Sequence, residues 1–165
     1  MNTATPVLPV LVLLLAACNQ NTALGNDREA QLDPASTPAP IEPPEAALAN
    51  VSGTLMKPET MSDADVAALG GRRSKCAVTL TEVSFPAFLY QPGGTGYLKM
   101  NGKLIPLPAQ GGGRFAAGGM LVALQPLDDR GNAGLQAINM VVVLPDAKDE
   151  LGYRGYVRCF EGAAA

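Results

Sequence analysis

Leu151-Gly152-Tyr153-Arg154-Gly155-Tyr156-Val157-Arg158-Cys159-Phe160 alternates along its whole length. In an extended chain Leu151, Tyr153, Gly155, Val157 and Cys159 share one face, and Arg154, Tyr156, Arg158 and Phe160 share the other. That is the period of a strand with one side turned to a core. Upstream, Ile138-Asn-Met-Val-Val-Val-Leu144 is apolar on both faces and reads as a central strand covered on both sides. With Met120–Leu127 these segments predict a three-strand meander, turning at Asp128–Gly134 and Pro145–Glu150. Further upstream, Tyr97 to Ile105 contains Asn101-Gly102, the strongest short-range signal for a two-residue hairpin. Cys76 to Val83 alternates again, with Cys76, Val78 and Leu80 opposite Thr79 and Thr81. The expected fold is mainly β, a small antiparallel barrel or sandwich of about six strands.

One short helix is expected before the sheet. Ser62 is a good N-cap, Asp65 sits at the capping-box position, and Gly70 suits the stop. Asp63 and Asp65 in the first turn favour the helix dipole. Two turns do not stand alone in water, so Val66 and Leu69 are expected to pack on the sheet. Residues 51–75 are therefore read as this helix preceded by a short strand at Val51–Met56. Residues 161–165 are read as a disordered tail.

The N-terminal end has a different character. Val7 to Ala17 reads VLPVLVLLLAA, uncharged and of the length of a signal-peptide apolar region. A membrane-spanning helix needs about twenty apolar residues, and Asn19-Gln20-Asn21 ends this run early. Leu15-Ala16-Ala17-Cys18 resembles the lipobox of bacterial lipoproteins. The resemblance implies that residues 1–17 are a signal peptide removed in the mature protein. It also implies that Cys18 carries diacylglycerol and usually a further acyl chain, such as palmitate, on the new amino-terminus. Two or more chains give stable attachment where one gives only marginal binding. MNTATP lacks the Lys or Arg of that pattern, which a start codon upstream of Met1 would explain. Asn19 stands where inner-membrane lipoproteins carry Asp, so the resemblance implies the outer membrane, facing the periplasm.

Residues 18–50 are then a tether. Asp33 to Leu48 holds five prolines, and residues 19–50 hold five acidic side chains against Arg28 alone. Such a segment buries no core and favours extended geometry. In an oxidising periplasm Cys76 and Cys159, at the two ends of the β region, are expected to pair and close residues 76–160 into one domain. A loop of that size contributes roughly 4.5 kcal/mol in the chain-entropy account.

Composition excludes several classes of chemistry. There is no histidine, which removes the commonest general base and transition-metal ligand. From Val51 onward eleven basic residues face ten acidic ones, with no basic cluster to neutralise phosphates, so nucleic acid is not an expected partner. No serine sits in a nucleophile elbow. Asp128-Asp129-Arg130-Gly131-Asn132 lacks the alternating oxygen ligands and closing Glu of a calcium loop and reads as a β-turn. Asp149 and Glu150 read as solvated turn residues. Gly93-Gly94-Thr95-Gly96 and Gly111-Gly112-Gly113 lack the Gly-Lys-Ser/Thr ending of a phosphate loop. No enzyme, cofactor or metal is expected.

Two surfaces are candidates for binding an anionic envelope component, peptidoglycan or a protein. One is the stripe of Arg154, Tyr156 and Arg158, suited to stacking and to anionic groups. The bland alternative for it is cross-strand packing, with the short helix covering Phe160. The other is Arg114 with Phe115, following the triple glycine at what reads as a flexible loop tip. Here the layout resembles the membrane-bound inhibitors of c-type lysozyme: a lipoprotein, a small β-barrel, a disulfide joining first and last strands, and a Gly-rich loop ending in Arg-aromatic. In that family a loop serine and arginine enter the lysozyme cleft. Arg114 and Phe115 match the end of the loop motif, whereas its serine positions hold Ala109 and Gly111. The sequence therefore predicts a lipid-anchored, non-enzymatic β domain, with lysozyme inhibition or a structural envelope role as alternatives.

Overall fold

In a computed structural model that describes residues 36–49, 56–147 and 149–163, eight antiparallel strands close into a barrel in sequence order. They are β1 (Cys76–Thr79), β2 (Phe88–Tyr90), β3 (Thr95–Met100), β4 (Lys103–Gly111), β5 (Arg114–Ala117), β6 (Met120–Arg130), β7 (Gln136–Val143) and β8 (Leu151–Cys159). Each strand pairs with the next, and β8 returns to β1 with Cys76 opposite Cys159, which form a disulfide. The choice between barrel and sandwich is thus settled, and the expected count of about six rises to eight. The two unanticipated strands are β2 and β5, of three and four residues, too short for an alternation to register. β1 stops at Thr79 rather than running to Val83. The expected strand at Val51–Met56 lies outside the described residues except Met56, which belongs to no strand. Residues 1–35, and with them Cys18, also lie outside them.

The Asn101-Gly102 hairpin forms as read, joining β3 to β4 with both turn residues at positive φ. The meander is β6, β7 and β8. β7 runs between β6 and β8 with Ile138, Met140 and Val142 in the interior. On its outer side Val141 is buried and Val143 half-buried.

Strand alternation sorts β1 to β4 into two apolar layers. Val78, Phe88, Leu98 and Ile105 fill the barrel, while Ala77, Leu89, Tyr97 and Leu104 point outward. A sheet face this apolar needs a cover, and α2 (Asp63–Ala68) provides it with Met61, Val66 and Leu69. The capping box is present: Ser62 Oγ accepts from Asp65 N–H at 3.1 Å, and Asp65 Oδ2 accepts from Ser62 N–H at 2.7 Å. Burying Met61 and Val66 contributes roughly 2 kcal/mol apiece. Phe160 joins this outer layer, as in the bland reading of the stripe.

The structure corrects the expected tether. Residues 36–49 are packed on the barrel, and α1 (Pro44–Ala47) buries Ala47 in the interior. β4 explains why. β3 pairs along Lys103–Pro108, but β5 meets β4 only at Ala109 and Gly111, so the other edge of residues 104–108 has no strand partner. Leu104 meets Ile41 there: Leu104 N–H donates to Pro40 O at 2.9 Å, and Glu42 N–H donates to Leu104 O at 3.1 Å. Residues 106 and 108 face the same edge by alternation, and both are proline, so neither has a donor to leave unpaired. Lys103 pairs with Glu42 at 2.6 Å, and Asn101 Nδ2 donates to Ala47 O at 2.9 Å. The expected tail is also partly folded, since Glu161 O accepts from Ser74 N–H.

Candidate functional site

The two ends of the barrel differ. At one end α1 sits over the interior, with Ala47 and Leu48 packed among core side chains, and a recess of about 480 Å³ of mixed polar and apolar lining remains outside it between Glu45, Leu48, Met56 and Pro145. At the other, the β2–β3 turn, the Gly112-Gly113 turn and the disulfide surround a cavity of about 350 Å³. Its lining is apolar: Tyr90, Ala109, Phe115, Val157 and the disulfide. Tyr90 lies opposite both Cys76 and Gly96, which brings it from β2 to the rim. Phe115 lies opposite Ala109 on β4. The Tyr90 and Phe115 rings are 5.1 Å apart, and Phe88 packs edge-on against Phe115, also at 5.1 Å, forming an aromatic floor. Gly96 makes this possible, because a Cβ there would stand 2.2 Å from Phe88 Cζ.

Arg114 is exposed at the rim and is the one charged residue lining the cavity. The ion pairs among the described residues are Arg72–Asp63, Lys99–Asp65, Lys103–Glu42 and Arg154–Asp129, so none engages it. Burial pushes the Tyr90 phenol above its ordinary pKa. Arg114 and Phe115, expected together at a flexible tip, are parted by strand alternation. Arg114 opens β5 at the rim, whereas Phe115 is a core residue. As a surface contact Phe115 is therefore corrected to a floor residue.

The expected stripe is largely occupied. The pairing of β6 with β7 shifts between Pro126 and Arg130, and the end of this hairpin lies against β8. Asp129 pairs with Arg154, and a Cβ on Gly131 would stand 2.7 Å from the Tyr156 ring. Glu82 holds the turn from the other side, accepting from Asn132 N–H at 2.9 Å and Ala133 N–H at 2.8 Å. The segment Asp128–Asn132, read as a β-turn, is split between the end of β6 at Arg130 and the turn that begins at Gly131. Arg158 remains exposed, in a shallow recess with Arg72, Glu82 and Phe160. Arg72 lies over the Phe160 ring at 5.8 Å. Asp149 and Glu150 are exposed in the turn before β8.

One buried charge escaped the sequence reading. Asp65 is wholly buried, accepting from Ala39 N–H at 2.6 Å and Lys99 Nζ at 2.7 Å besides its cap bond. Burial acts to raise its pKa, but Lys99 and the N–H groups of Ala39 and Ser62 outweigh it and hold the carboxyl at about 2. Its partners come from the packed strap of residues 36–49 and from β3, so it pins that strap and α2 to the barrel wall. It is a structural group, remote in role from the mouth.

A family model described as a domain of unknown function (DUF6692) matches residues 14–162, and the chain belongs to that family. No curated protein and no solved structure matches it.

Proposed function

We propose that this protein is a lipid-anchored, non-enzymatic binding module of the bacterial cell envelope, carried by acylated Cys18 on the periplasmic side of the outer membrane, and that it binds through the open mouth of its barrel. The observation that carries this reading is the unequal treatment of the two ends. One is stoppered by a segment of the chain itself. The other keeps an apolar recess with a cation at its edge that makes no ion pair among the described residues, the usual form of a small ligand site. The stripe is the weaker candidate, because Asp129 and the hairpin turn already engage Arg154 and Tyr156.

Site-specific photo-crosslinking in intact cells tests the placement. A photoreactive amino acid in place of Pro92, at the rim, should give a crosslinked product. The same residue in place of Glu45, at the stoppered end, or of Arg158 should not. Products from Glu45 or Arg158 alone refute the mouth. The anchor has its own test: Cys18→Ala should release the protein from the membrane or leave an unprocessed precursor. An unchanged, membrane-bound, processed protein would refute it.

A second reading, inhibition of c-type lysozyme, draws support from the presentation of Arg114, exposed beside the Gly112-Gly113 turn. It requires that the protein slow such a lysozyme and that Arg114→Ala restore the rate.

A further inference from the structure

We infer that the mouth takes a small amphiphilic monocarboxylate, its apolar body on the Tyr90–Phe115 floor and its carboxylate on Arg114. This rests on the reading of the mouth as a binding site and names the ligand class for it. Three features of the recess select that chemistry. Its wall is carbon and sulfur from Ala109, Phe115, Val157 and the disulfide, so what fills it must be apolar. The floor presents aromatic rings, which add stacking and edge contacts for a planar or methylene body.

Polar recognition is confined to the rim. Arg114 supplies the sole charge, and its planar guanidinium matches a carboxylate in two parallel hydrogen bonds. Tyr90, whose phenol is a donor at neutral pH, also lines the recess. A neutral head leaves the arginine unmatched, and an ammonium head is repelled by it. A phosphate monoester carries nearly two charges against one cation, so only one of them is balanced at the rim. A single carboxylate balances the site.

The test uses the full chain in lipid nanodiscs, with empty nanodiscs as the partition control. Three probes share one body: 4-phenylbutyrate, 4-phenylbutan-1-ol and 4-phenylbutylamine. Affinities come from calorimetry, and aromatic proton signals report where each probe sits. The carboxylate should bind roughly twofold to fivefold more tightly than the alcohol, as expected for an ion pair with an exposed arginine. The amine should bind most weakly. Arg114→Ala should bring the carboxylate down to the alcohol's affinity while leaving the alcohol unchanged. Tyr90→Phe should cost the carboxylate less, and Arg158→Ala nothing. Hexyl phosphate should bind more weakly than hexanoate.

Equal affinities for the three probes, with Tyr90 and Phe115 ring signals still shifting, overturn the carboxylate assignment and leave the mouth as the site. So does hexyl phosphate binding as tightly as hexanoate. Ring signals that no probe shifts, with no crosslink from position 92, overturn both the assignment and the mouth. Carboxylate binding that survives Arg114→Ala overturns the role of the arginine.

Discussion

The stoppered end and the open end of the barrel are built from the same strands but held by different means. At the stoppered end the chain supplies a whole segment: Ala47 enters the core, Asn101 bonds the Ala47 carbonyl, and Glu42 pairs with Lys103. At the open end the first and last strands are joined by a covalent bond, and the rings of Tyr90 and Phe115 face a recess.

The largest expected effect tests that contrast directly. Replacing Cys76 and Cys159 together by Ala should cost about 4 kcal/mol, since the bond closes a loop of 83 residues. Denaturant melts of the two proteins measure it. A loss below about 1 kcal/mol would mean that packing, not the bond, holds the mouth, and the contrast between the ends would fail.

Next in size is the pin that fastens the strap and helix. Asp65→Ala removes a buried carboxylate and strands Lys99, whose side chain is only 16 % exposed, so roughly 3 kcal/mol should be lost. The same group gives a pH signature. Its folded pKa of about 2 lies below its ordinary 3.8. Its contribution, roughly 2 kcal/mol, is therefore complete above about pH 4 and disappears as pH falls from there to about 2. Stability against pH should drop across that window in the native protein and drop less in Asp65→Asn. Equal slopes would remove Asp65 from the account.

A smaller effect belongs to the floor of the mouth. Gly96→Ala puts a methyl 2.2 Å from Phe88 Cζ and 3.1 Å from Phe115 Cδ1, so the rings must move. Overpacking of this kind costs about 2 kcal/mol. Because Phe88 and Phe115 form the floor, the variant should also weaken 4-phenylbutyrate binding, which a lesion at the stoppered end should not.

How much of this was legible depended on the length of the signal. β6, β7 and β8 carry eight to eleven residues each, enough for alternation to declare itself, and Asn101-Gly102 fixed its hairpin locally. β2 and β5 exist because their neighbours pair with them, which no local pattern announces. The strap was misread because proline-rich composition favours extended geometry whether or not a surface is waiting. What waits is the unpaired edge of β4, and its trace in the sequence is Pro106 and Pro108, two missing donors on one side of one strand. The capping role of Asp65 could be read from Ser62, but its partner Lys99 lies 34 residues away. Arg114 stood out by charge. Tyr90 did not, since the mouth gathers residues from four separate stretches of chain.

The smallest expected effect on stability falls on the residue given most of the function. Arg114 is exposed, bears none of the ion pairs among the described residues, and opens a strand whose buried anchor is its neighbour Phe115. Its removal takes away no packing that the fold relies on, so Arg114→Ala should stay within about 0.5 kcal/mol of the native protein. Arg154→Ala, which breaks an exposed pair with Asp129, should cost no more than about 1 kcal/mol. The two arginines thus sit close together on the stability scale and far apart in consequence: the preference of the mouth for a carboxylate should vanish with the first and persist with the second. A destabilisation by Arg114→Ala well above 1 kcal/mol would show that the guanidinium is part of the mouth's own structure. In that case an arginine spent on the fold would no longer be free for a ligand, and the two ends of the barrel would be built alike.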